Sequence, residues 1–147
     1  MGYRSDVTSA IYGTDGMIDA LIARHTFETG RSIHEHFGAE ELTRFERTVT
    51  RYGPRPDYAV TEVRMTFLRL SGSGWKWYDG YDDVEAWKRL LYIAEQMAEE
   101  GFDICYEFVR IGEEDGDVEQ ASGGDEVCHY IRIRTEISDT IHKETGP

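Results

Sequence analysis

The chain has 147 residues, 39% of them hydrophobic and 12% aromatic, and its 29 acidic against 16 basic residues give a formal net charge of −13. That length suits a single domain, 1–147, with one core, and the aromatic content excludes a globally disordered chain. The charge disfavours direct binding to nucleic acid or an anionic membrane and favours a basic partner, while the absence of a long apolar run or a visible secretory leader makes a cytoplasmic protein the expectation.

Residues 3–12 read as a strand with Val7, Ser9 and Ile11 on one face. A turn at Gly13–Gly16 leads into a helix whose apolar face is Met17, Ile18, Leu21, Ile22 and His25, ending near Gly30. Residues 31–37 fit a short strand or an irregular loop. Residues 38–51 read as a helix with Leu42, Phe45 and Val49 inward, stopped by Gly53, Pro54 and Pro56. Residues 60–70 read as a strand in which Val63, Met65 and Phe67 alternate with Arg64 and Thr66, with a phase slip at Leu68-Arg69-Leu70 that fits a bulge or the strand's exit. Ser71–Gly74 is a short flexible loop; no Gly-Lys-Ser/Thr follows, so it is not a phosphate loop.

The stretch from Trp75 to Phe102 carries all three tryptophans and the strongest helical pattern. Val84, Trp87, Leu91, Ala94 and Ala98 recur at spacings of three and four, widened by Leu90, Ile93 and Met97. Asp82 is the expected N-cap with Glu85 three residues on, and Glu85 and Arg89 form an i,i+4 pair. Gly101 suits the left-handed position that ends a helix, with Phe102 folding back on Met97. Residues 102–111 and 127–137 read as two further strands; in the second, His129, Ile131, Ile133 and Ile137 share a face opposite Tyr130, Arg132, Arg134 and Glu136. Residues 139–147 form a polar tail expected to fray. The order predicts an α+β fold: a two-layer domain with a mixed four-stranded sheet, helices on one face and the other face wet. The helix face of Val84, Trp87, Leu91 and Ala94 is expected against Val63, Met65, Phe67, Ile131 and Ile133.

Two segments stand out as candidate binding surfaces. The run Glu113-Glu114-Asp115-Gly116-Asp117-Val118-Glu119, with Asp125 and Glu126 beyond it, holds seven acidic residues and no basic one. It fits a solvated hairpin loop, a docking surface for a basic protein patch, or a calcium loop, although its spacing fails the EF-hand pattern. The loop Trp75, Trp77, Tyr78 and Tyr81, interleaved with Asp79 and Asp82, fits either packing at a helix N-terminus or an aromatic hot spot; Trp75 and Trp77 are the residues expected to enter the core. The candidate partner-binding residues are therefore Tyr78, Asp79, Tyr81, Glu113, Glu114, Asp115, Asp117 and Glu119.

Other chemistry is thinly represented. His34-Glu35-His36 lacks a third metal ligand, and His25 and His129 fall on apolar faces as core histidines. Asp79, Asp82 and Asp83 with a histidine offer an alternative reading as a small divalent-metal-dependent enzyme. Cys105 and Cys128 lie on separate predicted strands, form no metal motif and read as reduced buried thiols. No nucleophile–base spacing points to catalysis, and neither a cofactor nor a resident metal is expected.

The opening Met1-Gly2-Tyr3-Arg4-Ser5-Asp6-Val7, the segment Lys76-Trp77-Tyr78-Asp79-Gly80-Tyr81 and the strand Phe108-Val109-Arg110-Ile111-Gly112 with its acidic run resemble a group of small acidic proteins encoded by tailed phages and prophages. The resemblance spans most of the chain in scattered short motifs. It implies a genomic context and a site of action in the cytoplasm of a bacterial host, and it carries no catalytic residues. By analogy with phage proteins of this size and charge, the expected function is that of an accessory protein binding a basic surface of a host protein, including a nucleic-acid-binding one, as an anti-defence inhibitor of the anti-CRISPR kind. A structural phage component is a third reading.

Overall fold

A computed structural model of the chain describes residues 2–14, 16–51, 61–124, 131–133 and 137–139. Its centre is β1 (Ser5–Thr14), flanked by β3 (Thr61–Trp75) on one side and β4 (Ile104–Gly112) on the other; β2 (Leu42–Arg51) lies outside β3 and β5 (Val118–Gly123) outside β4. Every pairing in this five-stranded sheet is antiparallel. A short hairpin of β6 (Ile131–Ile133) and β7 (Ile137–Asp139) lies beside β4 and β1.

Helices α1 (Met17–Thr29) and α2 (Asp82–Glu99) cover one face of the sheet. Ile18 and Leu21 of α1, with Val84, Trp87, Leu90, Ile93, Ala94 and Met97 of α2, bury against Val7, Ile11, Leu68, Leu70, Ile104, Tyr106 and Phe108. Trp87 is completely buried, and Leu91 packs at the margin of the same cluster. The ion pairs Arg24–Glu100, at 2.9 Å, and Arg89–Glu28, at 3.3 Å, tie the two helices together. The end of α2 is a Schellman motif: Gly101, at φ 94°, donates to the Ala98 carbonyl and Phe102 to that of Met97.

The two-layer α+β arrangement with helices on one face is the one the sequence predicts. The sheet itself differs, having five antiparallel strands instead of four in mixed directions. One reason is β2. Leu42, Phe45 and Val49 fit helical spacing, but Thr43, Thr48, Val49 and Thr50 are β-branched and Phe45 and Val49 also fit a period of two. A continuous ladder from Leu42↔Leu70 to Arg51↔Thr61 supplies what the helix would have supplied locally.

The second correction concerns the faces. Met65 and Phe67 point away from the helices, into a separate cluster with Ala10, Tyr12, Phe45, Cys105 and Val109, flanked by Val63 and Val49. The helices instead meet Leu68 and Leu70, so the phase slip marks where β3 passes beneath them and not a bulge. On the second face Phe45, Phe67 and Tyr12 stack across three strands, with centroid separations of 5.4 and 5.1 Å. That face is therefore not wet: Tyr12 and Phe67 are fully buried. The expected pairings of Trp87 with Ile131 and Ile133 involve side chains outside the described residues, as do His129, Cys128, Asp125, Glu126 and the tail beyond Asp139.

At the start of α2 the N-cap is Tyr81, not Asp82, and its side chain makes no cap bond. Glu85 still reaches back, accepting from the Gly80 N–H at 2.8 Å, while Arg89 pairs with Glu28 across the helix interface.

Candidate functional site

The register of β1 decides where the two predicted surfaces lie. Ser5 pairs with Trp75 at the end of β3 and with Gly112 at the end of β4. The aromatic loop, the acidic turn and the N-terminal segment therefore leave the sheet at the same end, although residues 3 and 117 are far apart in sequence.

The N-terminal segment ties the three together. Tyr3 donates its hydroxyl to Asp117 and accepts from the Glu114 N–H at 3.0 Å. The Arg4 N–H donates to Glu113 at 2.6 Å, and the Arg4 guanidinium donates to the Gly74 carbonyl. Gly2 lies so close to the Tyr78 hydroxyl that a Cβ there would sit 2.7 Å from it. Gly112 is enclosed still more tightly, since an added Cβ would come within 2.0 Å of the Asp117 carboxylate and 2.3 Å of the Tyr3 hydroxyl.

The acidic residues divide into two groups. Asp117 takes two hydrogen bonds from Arg110, at 2.8 and 3.2 Å, and Glu119 takes a third at 3.1 Å. The Arg110 guanidinium, with help from Tyr3, holds the Asp117 carboxyl down to about 2, and the Arg110 pKa is raised in turn. Asp79 is held by Lys88, whose hydrogen bond lowers its pKa, with a smaller contribution from the charge of Arg110. Each of these three carboxylates has a cationic partner within the chain. Glu113 caps Arg4, and the exposed carboxylates of Glu114 and Asp115 have no partner among the described residues.

The aromatic residues divide in the same way. Trp77 is buried against Phe108 and Trp75, and Trp75 donates its indole N–H to Asp83 at 3.1 Å. Tyr78 is half-buried and meets Tyr81 edge to face at 5.2 Å, while Tyr81 is 47% exposed. The free groups at this end are thus Tyr81, Glu114 and Asp115, with Glu113 beside them: an acidic rim next to an aromatic anchor.

A second feature was missed by sequence reasoning. A cleft of about 360 Å³ opens between the end of α1, the segment after it and the first turns of α2, lined by His25, Thr29, Arg31, His36, Asp82, Glu85, Ala86 and Arg89. His25 is fully buried at its base, with the backbone of Ala86 and Arg31 against its ring. Burial lowers its pKa.

The candidate metal residues do not converge. Asp79 is bound to Lys88, Asp83 to Trp75, and Asp82 alone lines the cleft. His36 lines it too, while His34 is exposed and is not among its lining residues. Among the described residues no group of three or more His, Cys, Asp or Glu has the geometry to hold a metal ion. No described helix is long and apolar enough to cross a membrane.

Comparison of the chain with protein-family models, with curated proteins and with solved structures finds no match.

Proposed function

We propose that this protein is a non-catalytic binding module that docks a basic surface of a partner protein through the end of the sheet where β1 begins. The observation that carries the reading is the convergence there of Glu113, Glu114, Asp115 and the exposed Tyr81, on a base fixed by Tyr3, Asp117 and Arg110. Exposed carboxylates on a rigid frame steer an approaching cation without reorganising, and an adjacent Tyr supplies contact area at small entropic cost. The net charge of −13 extends the same field over the whole molecule. The resemblance to phage proteins supports a host protein as the target, with a surface that otherwise holds nucleic acid as a fitting complement and inhibition of a defence system as the fitting outcome.

The test is affinity capture from bacterial lysate with wild type and with a Tyr81→Ala, Glu114→Gln, Asp115→Asn triple variant in parallel. The reading expects a basic protein retained by wild type and lost from the variant. A partner retained equally by both binds elsewhere, and the reading fails.

A further inference from the structure

We infer that the outer edge of β5 is a docking edge for an extended, basic segment of the partner, which adds to the sheet as a sixth strand. The inference rests on the binding function proposed above and names the form its partner takes.

The two edges of the sheet are built differently. β2 carries Arg44, Glu46, Arg47 and Arg51 along its length, and Arg44 and Glu46 are engaged in ion pairs with Asp19 and Arg64. Charges of both signs are the ordinary means of keeping an edge strand from pairing with another chain. β5 reads Val-Glu-Gln-Ala-Ser-Gly, with one charge, no Lys, no Pro and small residues over its second half. Its residues from Val118 to Ser122 are exposed, and Val118 is 44% exposed. The strand is therefore bonded to β4 on one side and uncovered on both faces, and among the described residues no strand pairs with its other side. A strand held by so little packing presents its main-chain donors and acceptors to any chain that can lie beside it.

Charge selects the occupant. The acidic turn leads directly into β5, with Glu113, Glu114 and Asp115 before it and Glu119 on it. A second copy of this chain would approach with the same net charge of −13, so self-pairing is opposed. An extended segment rich in Lys or Arg meets the opposite sign along the same path. Main-chain bonds then supply the affinity and the acidic turn the choice of sequence.

The probe is a synthetic peptide of alternating Val with Lys or Arg, long enough to span the six residues of β5, with a matching peptide carrying Glu at the charged positions as control. Hydrogen exchange of the full chain is followed by NMR. The basic peptide is expected to slow exchange of the β5 amides saturably while those of β2 stay unchanged. Successive residues of an edge strand point alternately inward and outward, so one of Gln120→Pro and Ala121→Pro blocks the outer side while leaving the ladder to β4 intact. The variant that keeps the wild-type melting midpoint should weaken peptide binding by about tenfold or more. Glu114→Gln with Asp115→Asn should weaken it without disturbing the strand.

Three results overturn the inference: no protection of β5, equal protection by the Glu peptide, or protection that grows with protein concentration in the absence of peptide. If a captured partner binds in a charge-dependent manner and leaves β5 exchange unchanged, the binding function stands and strand addition alone fails.

Discussion

The hydroxyl of Tyr3 donates to the carboxylate of Asp117, 114 residues further along the chain, and that carboxylate is also gripped by Arg110. Through this contact the first residues of the chain are fastened to the acidic turn. It divides the acidic run into members that build the surface and members that are free to use it.

Asp117 should therefore behave unlike its neighbours. Its carboxyl is held to about 2 in the folded protein against an ordinary value of 3.8. Because the folded-state value is the lower one, the stabilisation is fully present above the ordinary value and is lost as pH falls through the folded one. Melting midpoints recorded from neutral to acid pH should show wild type losing stability across that window. Asp117→Asn should be less stable than wild type at neutral pH, with the difference shrinking in acid. Glu114→Gln with Asp115→Asn should match or exceed wild type in stability, since only like-charge repulsion is removed.

Gly112→Ala tests the same junction sterically. Its Cβ would collide with both Asp117 and Tyr3, so the turn must shift or the N-terminal segment must detach. The expected outcome is a lower melting midpoint and faster proteolysis near Arg4, while Gly38→Ala, at a site whose nearest neighbour is the flexible end of Glu41, is milder. Equal behaviour of the two variants would contradict the packing described.

Trp87 is the largest side chain buried beneath the helices, meeting Phe37 edge to face at 6.1 Å. Truncation to Ala should cost roughly 3–5 kcal/mol by denaturant titration. Its indole nitrogen is buried without a hydrogen-bond partner among the described residues, so Trp87→Phe loses ring contact but no hydrogen bond there and should cost markedly less.

The central helix was legible because its apolar positions repeat over eighteen residues and its end is marked by Gly101. β2 was not, since Phe45 and Val49 fit a helical spacing and a period of two alike, and only the partner strand chooses between them. The two-faced burial of the sheet was equally hidden: Met65 and Phe67 look like the helix-facing side until Leu68 and Leu70 are seen beneath α2. Composition singled out both Tyr81 and the acidic run, but their meeting at one end of the sheet depends on the pairing of Ser5 with Trp75 and Gly112, which no local pattern encodes. The cleft is not legible in the sequence because its lining comes from two separated segments, and a buried histidine reads the same whether or not its nitrogens are bonded.

His25 supplies a further prediction from that cleft. Its neighbours include Glu28, His36, Arg31, Arg89, Asp82 and Glu85, yet burial dominates and lowers its pKa below the ordinary 6.5. As pH falls through 6.5 the unfolded chain takes up this proton first, so stability present above that value declines until the folded state protonates as well. Unfolding free energies measured from about pH 7 to about pH 5 should fall in wild type, and His25→Phe should flatten that decline. An unchanged slope in the variant would mean that the ring is bonded or hydrated in solution.

The most direct test of the binding function is the association rate of the captured partner as a function of salt, measured for wild type and for the Glu114→Gln, Asp115→Asn variant with Glu113 and Asp117 left intact. The Debye length shrinks from about 10 Å at 0.1 M to about 3 Å at 1 M, so steering by these exposed carboxylates must weaken over that range. The account predicts a wild-type on-rate that falls steeply with salt, and a variant whose on-rate is lower at low salt, flatter in its salt dependence and accompanied by an unchanged melting midpoint. A variant that associates as fast as wild type at low salt would contradict the account and leave the acidic turn as solvated surface.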